Sequence, residues 1–359
     1  MIRYDIEFTL VTPCISAGAD QQHAEMRVPE IRAQLRNWTR ICGFSRDLED
    51  RLFGALGKKN SDEGASAGKI SVRCLDASSC KTISTYGLGS GKYDYFLWPF
   101  YSAGGVNHRS CLDAGGIVEI EVLDRSADAD KDSFRLVLER FLLLGSLGSR
   151  SRRCYGSIYP VSVTADDGWS MTIPSTMKEF KDGLEKLQLK NVRILSLGGE
   201  SSRYDGAVKR CADFLHNARC GSTNGDLQAS QWGENDKEVV KNGSDNAKLT
   251  RPAIGLPMPI QFKHGNKYSI ALADSEDKGD SRWASPVIFK VVKLGNAFVP
   301  LAMFLRDYCM PDGTKLVISE NKKFRGISAI SNRELFDVLA SPNRHVEFGF
   351  SGAEILLDW

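Results

Sequence analysis

The chain has 359 residues, of which 42% are hydrophobic and 26% charged, a composition typical of a soluble globular protein. This length is too great for one ordinary hydrophobic core and predicts two domains. The formal net charge is only +2 at pH 7, so the overall charge excludes general electrostatic attraction to nucleic acid. Any such binding must depend on local clusters of basic residues.

The cysteine and histidine patterns exclude several further classes of protein. Nine cysteines occur without a C-x-x-C pair, which argues against a disulfide scaffold and against a zinc knuckle. His108, His216, His264 and His345 are isolated and lack metal-ligand spacing. The first residues read as a strand rather than a signal peptide, and no apolar run has transmembrane length. We therefore expect a cytoplasmic protein that uses no metal or cofactor and does not contact a membrane.

The first half of the chain carries the pattern of one mixed domain. Hydrophobic and polar residues alternate over Ile2–Leu10, which predicts a half-buried strand. Ile31, Leu35 and Trp38 have helical spacing and predict the first helix. Further patterns follow as a helix at 47–53, strands at 69–75 and 117–123, a helix at 134–144 and a strand at 158–164. Apart from the short second helix, this order is that of a ferredoxin-like domain with insertions, which we place at residues 1–165.

The second half carries a similar mixture of helical and strand patterns. Residues 220–249 are rich in Gly, Asn, Ser and Asp and predict a mobile insertion. The remaining patterns predict helices at 176–187, 205–218 and 332–339, and strands at 252–262, 267–272, 286–294, 297–304 and 345–350. We therefore predict an α+β protein with a second ferredoxin-like domain at residues 166–359.

The basic segment 145–157, GSLGSRSRRCYGS, is the first candidate binding site. It carries Arg150, Arg152 and Arg153 among glycines, without an acid, and it runs from a predicted helix into a predicted strand. That order is the reverse of a nucleotide-binding P-loop, and the C-terminus of a helix repels anions. Phosphate would therefore be bound by guanidinium and backbone N–H groups, which suits a long polyanion such as RNA. Tyr155 is a candidate for stacking on a base.

A second basic cluster lies on the first predicted helix. Arg32, Arg36 and Arg40 recur every four residues and form one stripe, with no acid between them to offset their repulsion. Such a stripe suits a phosphate backbone, although a solvated helix face would show the same pattern. Lys58 and Lys59, in a polar and Gly-rich loop, would join the RNA contacts only if that loop lies along the RNA.

Five short motifs in sequence order resemble those of the RAMP proteins of CRISPR systems. TPCISAGADQ after the first strand is similar to the family's opening motif, and EIRAQLRNWTRICG with RLFGALG is similar to its first helix and the following segment. GSRSRRCYGS is similar to the family's glycine-rich loop. RPAIGLPMPIQF and RWASPVIFKVVKL are similar to the second half of one class of member, the large two-domain subunit of the type III-B, or Cmr, effector complex.

The resemblance implies a non-catalytic, RNA-binding subunit of an RNA-guided complex. Its partners would be the guide RNA, near its 3′ region, the target RNA and other RAMP subunits. Arg251 and Arg282, which begin the family-like segments of the second half, become further candidate phosphate contacts. Cys154 stands where the family usually has glycine, which implies a stiffer loop.

Two other functions remain open from the sequence. An endoribonuclease that matures guide RNA could use His23 as a general base, with Tyr155 or a lysine and without a metal. A variant would give Asp20 the role of a metal-dependent catalytic aspartate, for which the surrounding SAGADQ offers little support. A structural adaptor could instead use its arginines to bind acidic surfaces of neighbouring subunits.

Overall fold

The computed structural model describes residues 1–20, 22–41, 43–56, 64–85, 88, 95–100, 109–220, 231–242, 248–256, 258–261, 267–273, 283–311, 313–320, 323–331 and 333–359. The chain divides into two compact units. The first consists of Met1–Lys190, Gly199–Cys211 and Phe289–Leu301. The second consists of Asn191–Gly198, Ala212–Ile288 and Ala302–Trp359.

The secondary structure mixes helices with strands, most of which pair antiparallel, whereas β10 and β16 pair parallel. The α-helices are α1 (Val28–Ile41), α2 (Arg46–Phe53), α3 (Asp128–Leu144), α4 (Met177–Lys186), α5 (Tyr204–Cys220), α6 (Gln231–Asn242) and α7 (Glu334–Leu339). The strands are β1 (Ile2–Leu10), β2 (Gly54–Ala55), β3 (Ser66–Ala67), β4 (Ile70–Asp76), β5 (Thr82–Ser84), β6 (Ser110–Leu112), β7 (Ile117–Asp124), β8 (Ile158–Ala165), β9 (Val192–Ser196), β10 (Lys248–Leu249), β11 (Met258–Gln261), β12 (Lys267–Leu272), β13 (Val287–Leu294), β14 (Ala297–Leu305), β15 (Lys315–Glu320), β16 (Lys323–Ser331) and β17 (Glu354–Leu357). None of the described helices is long and apolar enough to cross a membrane.

The first unit contains a four-stranded sheet with the order β4-β7-β1-β8. β1 is antiparallel to both of its neighbours, with Ile6 opposite Ile120 of β7 and opposite Val163 of β8. The alternating sequence of β1 buries one face of this strand, and the buried ring of Tyr4 packs edge-on against Phe134 of α3 at 5.8 Å. The hydrophobic face of β1 therefore packs against a helix, as its period-two pattern predicted.

Two further sheets hold most of the remaining strands. One has five strands in the order β10-β16-β15-β12-β11, and the other has four in the order β13-β14-β9-β17. In the second unit, β9 and β17 pair antiparallel, with Leu195 opposite Ile355. The core of this unit includes Leu249, Ile270 and Ile318, which are fully buried.

The structure confirms the α+β class and most of the predicted elements, and it corrects the rest. The predicted strand at 345–350 is wrong, because Pro342–Phe348 form a 3-10 helix that ends at the left-handed Gly349. The predicted strand at 252–262 begins too early, since Arg251–Ile254 are also a 3-10 helix. The strands β2, β3, β5, β6, β9, β10, β15, β16 and β17 were not predicted. Helix α6 lies within the segment 220–249 predicted as a mobile insertion, whereas 221–230 and 243–247 are outside the described residues.

Candidate nucleic-acid interface

The basic loop 145–157 connects α3 to β8 and is fixed to the segment that follows β1. The hydroxyl of Thr12 donates to the carbonyl of Cys154 at 2.6 Å and accepts from the Ser157 N–H at 2.9 Å. The N–H of Gly156 donates to the carbonyl of Pro13 at 2.8 Å. The opening motif and the basic loop, which lie more than a hundred residues apart in the sequence, therefore form one hydrogen-bonded structure.

Left-handed backbone gives the loop its tight path. Gly148, Arg150, Cys154 and Gly156 have φ values of 78°, 66°, 68° and 70°. A Cβ atom at Gly156 would lie 1.8 Å from the carbonyl oxygen of Leu147, so this position excludes any side chain. Because L-residues rarely adopt this conformation, the geometry explains why glycine suits position 154, and Cys154 adopts it here despite its side chain.

The three loop arginines are partly buried rather than fully extended into solvent. Burial lowers the pKa of the Arg150 guanidinium from its ordinary value. The Arg153 guanidinium lies 5.6 Å from the ring centroid of Phe289 and 5.9 Å from that of Phe96, and its Nη1 donates to the Arg152 carbonyl at 3.0 Å. Aromatic faces attract a guanidinium, so these rings restrict where the charge of Arg153 can lie.

Tyr155 is placed differently from its neighbours in the loop. Its side chain is only 1% exposed. A buried ring offers no face to a base in this conformation, so its predicted stacking role is disfavoured and stays a prediction.

Two of the three arginines of α1 are bound by acidic residues of α2. Glu49, whose side chain is 2% exposed, accepts hydrogen bonds from Nε and Nη2 of Arg40, each at 2.7 Å, and another from Nε of Arg36. The hydrogen bonds from Arg40, aided by Arg36 and opposed by burial, lower the pKa of Glu49 to about 2. Arg32 instead donates to the carbonyl of Phe53 at 2.7 Å. The expectation that no acid offsets this stripe is therefore wrong, although its RNA contacts stay a prediction.

Of the other predicted RNA contacts, Arg251 is buried and paired with an acid. Arg251 is 7% exposed, and its Nε donates to Oδ2 of Asp236 at 2.9 Å. Lys58, Lys59 and Arg282 lie outside the described residues.

His23 and Asp20 form an exposed pair after β1. Nδ1 of His23 lies 2.5 Å from Oδ2 of Asp20, and their side chains are 85% and 60% exposed. The backbone N–H of Gln22 is the largest cause that lowers the pKa of Asp20, followed by the hydrogen bond to His23. A carboxylate beside an imidazole fixes its tautomer, and more than half of each side chain is exposed to solvent. Within the described residues, no group of three His, Cys, Asp or Glu side chains could hold a metal ion.

Lys290, which lies at the base of the basic loop, was not among the residues predicted for the site. Its side chain is fully buried, and its Nζ donates to the carbonyls of Gly145 at 2.5 Å and Ile158 at 2.7 Å. The sequence does mark Lys290 as unusual, because it is the first charged residue in the otherwise apolar start of β13, VIFKVV. A lysine inside such a run needs buried acceptors, yet the sequence does not say which ones.

Comparisons with known proteins identify the fold. No protein-family model matches the chain, and no curated protein matches it in sequence. The crystal structure of apo Cmr1 from Pyrococcus furiosus is similar with a TM-score of 0.60 and 15% identity, covering 99% of each chain. A chain of the type III-B Cmr-beta complex bound to cognate target RNA gives a TM-score of 0.46 and 10% identity, covering 95% of this chain and 100% of that one. The chain thus shares the fold of Cmr1 over its length, in agreement at the level of fold with the resemblance to CRISPR RAMP proteins.

Proposed function

We propose that this protein is a non-catalytic, RNA-binding subunit of a type III-B CRISPR effector complex. It would contact the 3′ region of the guide RNA and the target RNA, beside other RAMP subunits in the cytoplasm. The fold shared with Cmr1 supports this assignment, and the five motifs support it independently from the sequence. Target recognition in such a complex is carried by base pairing, so the protein needs contacts with the RNA backbone more than with base edges.

The strand orders support two ferredoxin-like domains, at residues 1–165 and 166–359. In the chain, α1 follows β1 and α3 follows β7. The sheet β4-β7-β1-β8 therefore has the strand order and the connections of that fold. The sheet β13-β14-β9-β17 has the same order and connections, because α5 follows β9 and α7 lies between β14 and β17 in the chain. The elements α6, β10–β12, β15 and β16 would then be insertions in the second domain.

The observation that carries the proposal is the fixed basic loop. Its backbone is held by Thr12 and Pro13, and its arginines are presented within four residues of one another. A loop whose backbone is already ordered loses little conformational entropy when it binds a phosphate chain. Arg150, Arg152 and Arg153 are therefore the first candidates for phosphate contacts. Arg32, Arg36 and Arg40 follow, because their guanidinium groups are partly committed to α2.

The test is binding of a labelled single-stranded RNA across a salt series. The loop variant replaces Arg150, Arg152 and Arg153 with Ala. The matched control removes the same charge from three exposed arginines elsewhere, Arg73, Arg125 and Arg203. We expect the loop variant to lower the slope of log K against log salt by about three, whereas the control keeps the wild-type slope. An equal decrease of this slope in both variants would mean that RNA binding depends only on net charge, and it would contradict a binding site at the loop.

The His23–Asp20 pair supports one alternative, a metal-independent endoribonuclease. An imidazole oriented by a carboxylate could remove the proton of a 2′-hydroxyl. The same RNA samples test it, because cleavage by the wild-type protein that disappears in His23→Ala would favour the enzyme. Intact RNA with bound wild-type protein supports the binding subunit.

A further inference from the structure

Three consecutive residues of β13, Phe289, Lys290 and Val291, bind the basic loop; we call them the clasp. The Phe289 N–H donates to the carbonyl of Arg152 at 3.1 Å, and the Phe289 carbonyl accepts from the N–H of Cys154 at 3.0 Å. The clasp backbone therefore pairs with the middle of the loop on both sides of Arg153, the residue that it faces in a parallel bridge.

Lys290 joins the two ends of the loop. Its Nζ donates to the carbonyl of Gly145, which follows the last residue of α3, and to that of Ile158, the first residue of β8. The neighbouring Val291 N–H donates to Oγ of Ser157 at 3.2 Å. One fully buried side chain thus fixes the point where the loop leaves the helix and the point where it enters the strand.

The position of Lys290 also bears on the electrostatics of anion binding. Gly145 lies at the C-terminus of a 17-residue helix, where unpaired carbonyls carry the negative end of the macrodipole. That end repels phosphate. A nitrogen donor on the Gly145 carbonyl offsets part of this repulsion at the start of the loop that carries the three arginines. Burial lowers the pKa of Lys290 well below its ordinary value, which is the cost of placing this group where water cannot reach.

We propose that Lys290 is a positioning residue for RNA binding, which acts through the clasp by fixing both ends of the basic loop and offsetting the helix C-terminus. The inference rests on the RNA-binding function proposed for that loop. Lys290 itself is fully buried and touches no ligand, so its effect must be transmitted by the loop backbone.

The experiment compares Lys290→Met with Lys293→Met in the full chain. Both replace a lysine of β13 with an uncharged side chain of similar length, but Lys293 is exposed. Hydrogen exchange of the Leu147, Cys154 and Gly156 amides reports on the loop, and RNA affinity is measured on the same samples. We expect Lys290→Met to speed exchange at these amides and weaken RNA binding, each about tenfold, with β1 amides unchanged. Lys293→Met should stay within about twofold of wild type in both measurements.

The outcomes separate this inference from the proposed function. Wild-type exchange rates in a folded Lys290→Met protein would overturn the clasp, whatever the RNA result. Faster exchange with wild-type RNA affinity would overturn the role of Lys290 in binding. If the wild-type protein binds no RNA, the proposed function fails and the positioning role fails with it, while exchange still decides whether the clasp fixes the loop. If Lys290→Met does not fold, Ser157→Ala replaces it, because this variant removes the acceptor of the Val291 N–H. Unchanged hydrogen exchange of the Leu147 and Gly156 amides in Ser157→Ala would overturn the clasp.

Discussion

Glu49 and Arg40 form a bidentate ion pair, in which Nε and Nη2 of the arginine each lie 2.7 Å from a different carboxylate oxygen. The carboxylate is almost fully buried, whereas half of the Arg40 side chain is exposed. A buried carboxylate is stable only if its charge is paired and hydrogen-bonded. This pair, with Arg36 as a second donor, therefore holds α1 against α2.

Replacing Glu49 with Gln should destabilise the protein. The variant removes the charge that Arg36 and Arg40 share and leaves a neutral amide among buried groups, so we expect a loss of about 1 to 3 kcal/mol in the free energy of unfolding. Urea unfolding measures it, with the exposed Glu185→Gln of α4 as control. A loss in the control as large as that in Glu49→Gln would contradict the special role of the pair.

The same pair predicts a loss of stability in acid. The pKa of Glu49 is about 2 in the folded protein, below its ordinary value of 4.5. A carboxyl group with a lowered pKa stabilises the fold fully above its unfolded pKa, and this stabilisation is lost as the pH falls from about 4.5 towards 2. We expect the difference in unfolding free energy between wild type and Glu49→Gln to shrink over this interval. A difference that stays constant from pH 7 to pH 3 would refute the assignment.

Gly156 and Gly115 offer a matched test of the loop backbone. Both have positive φ, but a Cβ atom at Gly156 would meet the Leu147 carbonyl, whereas at Gly115 it would meet nothing within 4 Å. Gly115→Ala should cost about 1 kcal/mol from the left-handed conformation alone. Gly156→Ala should cost about 3 kcal/mol or more, because the backbone must also shift. Thermal unfolding of the two variants checks the difference, and equal shifts in Tm would contradict the tight packing at Gly156.

Periodic elements of this fold were predictable from local sequence. The alternation of β1 and the helical spacing of Ile31, Leu35 and Trp38 gave both elements nearly to their ends, because one face of each is buried. The strand predicted at 345–350 failed because His345 and Phe348 are buried by a 3-10 helix, whose short apolar pattern resembles that of a strand. Local patterns of this length do not distinguish the two.

The candidate site was predictable only as a set of charges. The arginines were visible in the sequence, but their partners were not, because Glu49 lies on another helix and the clasp lies more than 130 residues after the loop. Such contacts depend on tertiary packing, which periodicity does not encode. For the same reason, the sequence could not distinguish the buried Arg251 from the partly exposed arginines of the loop.

Arg251→Ala should therefore act on stability rather than on RNA affinity. Asp236 is fully buried, and besides the Arg251 side chain it accepts the backbone N–H groups of Thr250 and Arg251 at 2.8 and 3.0 Å. Removing the guanidinium leaves a buried carboxylate without its counter-charge, at a cost of about 3 to 5 kcal/mol. The exposed pair of Arg203 and Asp205 is the control, since Arg203→Ala should cost less than about 1 kcal/mol.

Urea unfolding and RNA binding of the folded fraction separate the two roles of Arg251. We expect Arg251→Ala to lower the unfolding midpoint while the folded fraction keeps the wild-type Kd and salt slope, because the guanidinium is turned to Asp236 and little of it reaches solvent. A variant with wild-type stability and a salt slope lowered by about one would instead make Arg251 a phosphate contact. In that case the ion pair with Asp236 must open when RNA binds.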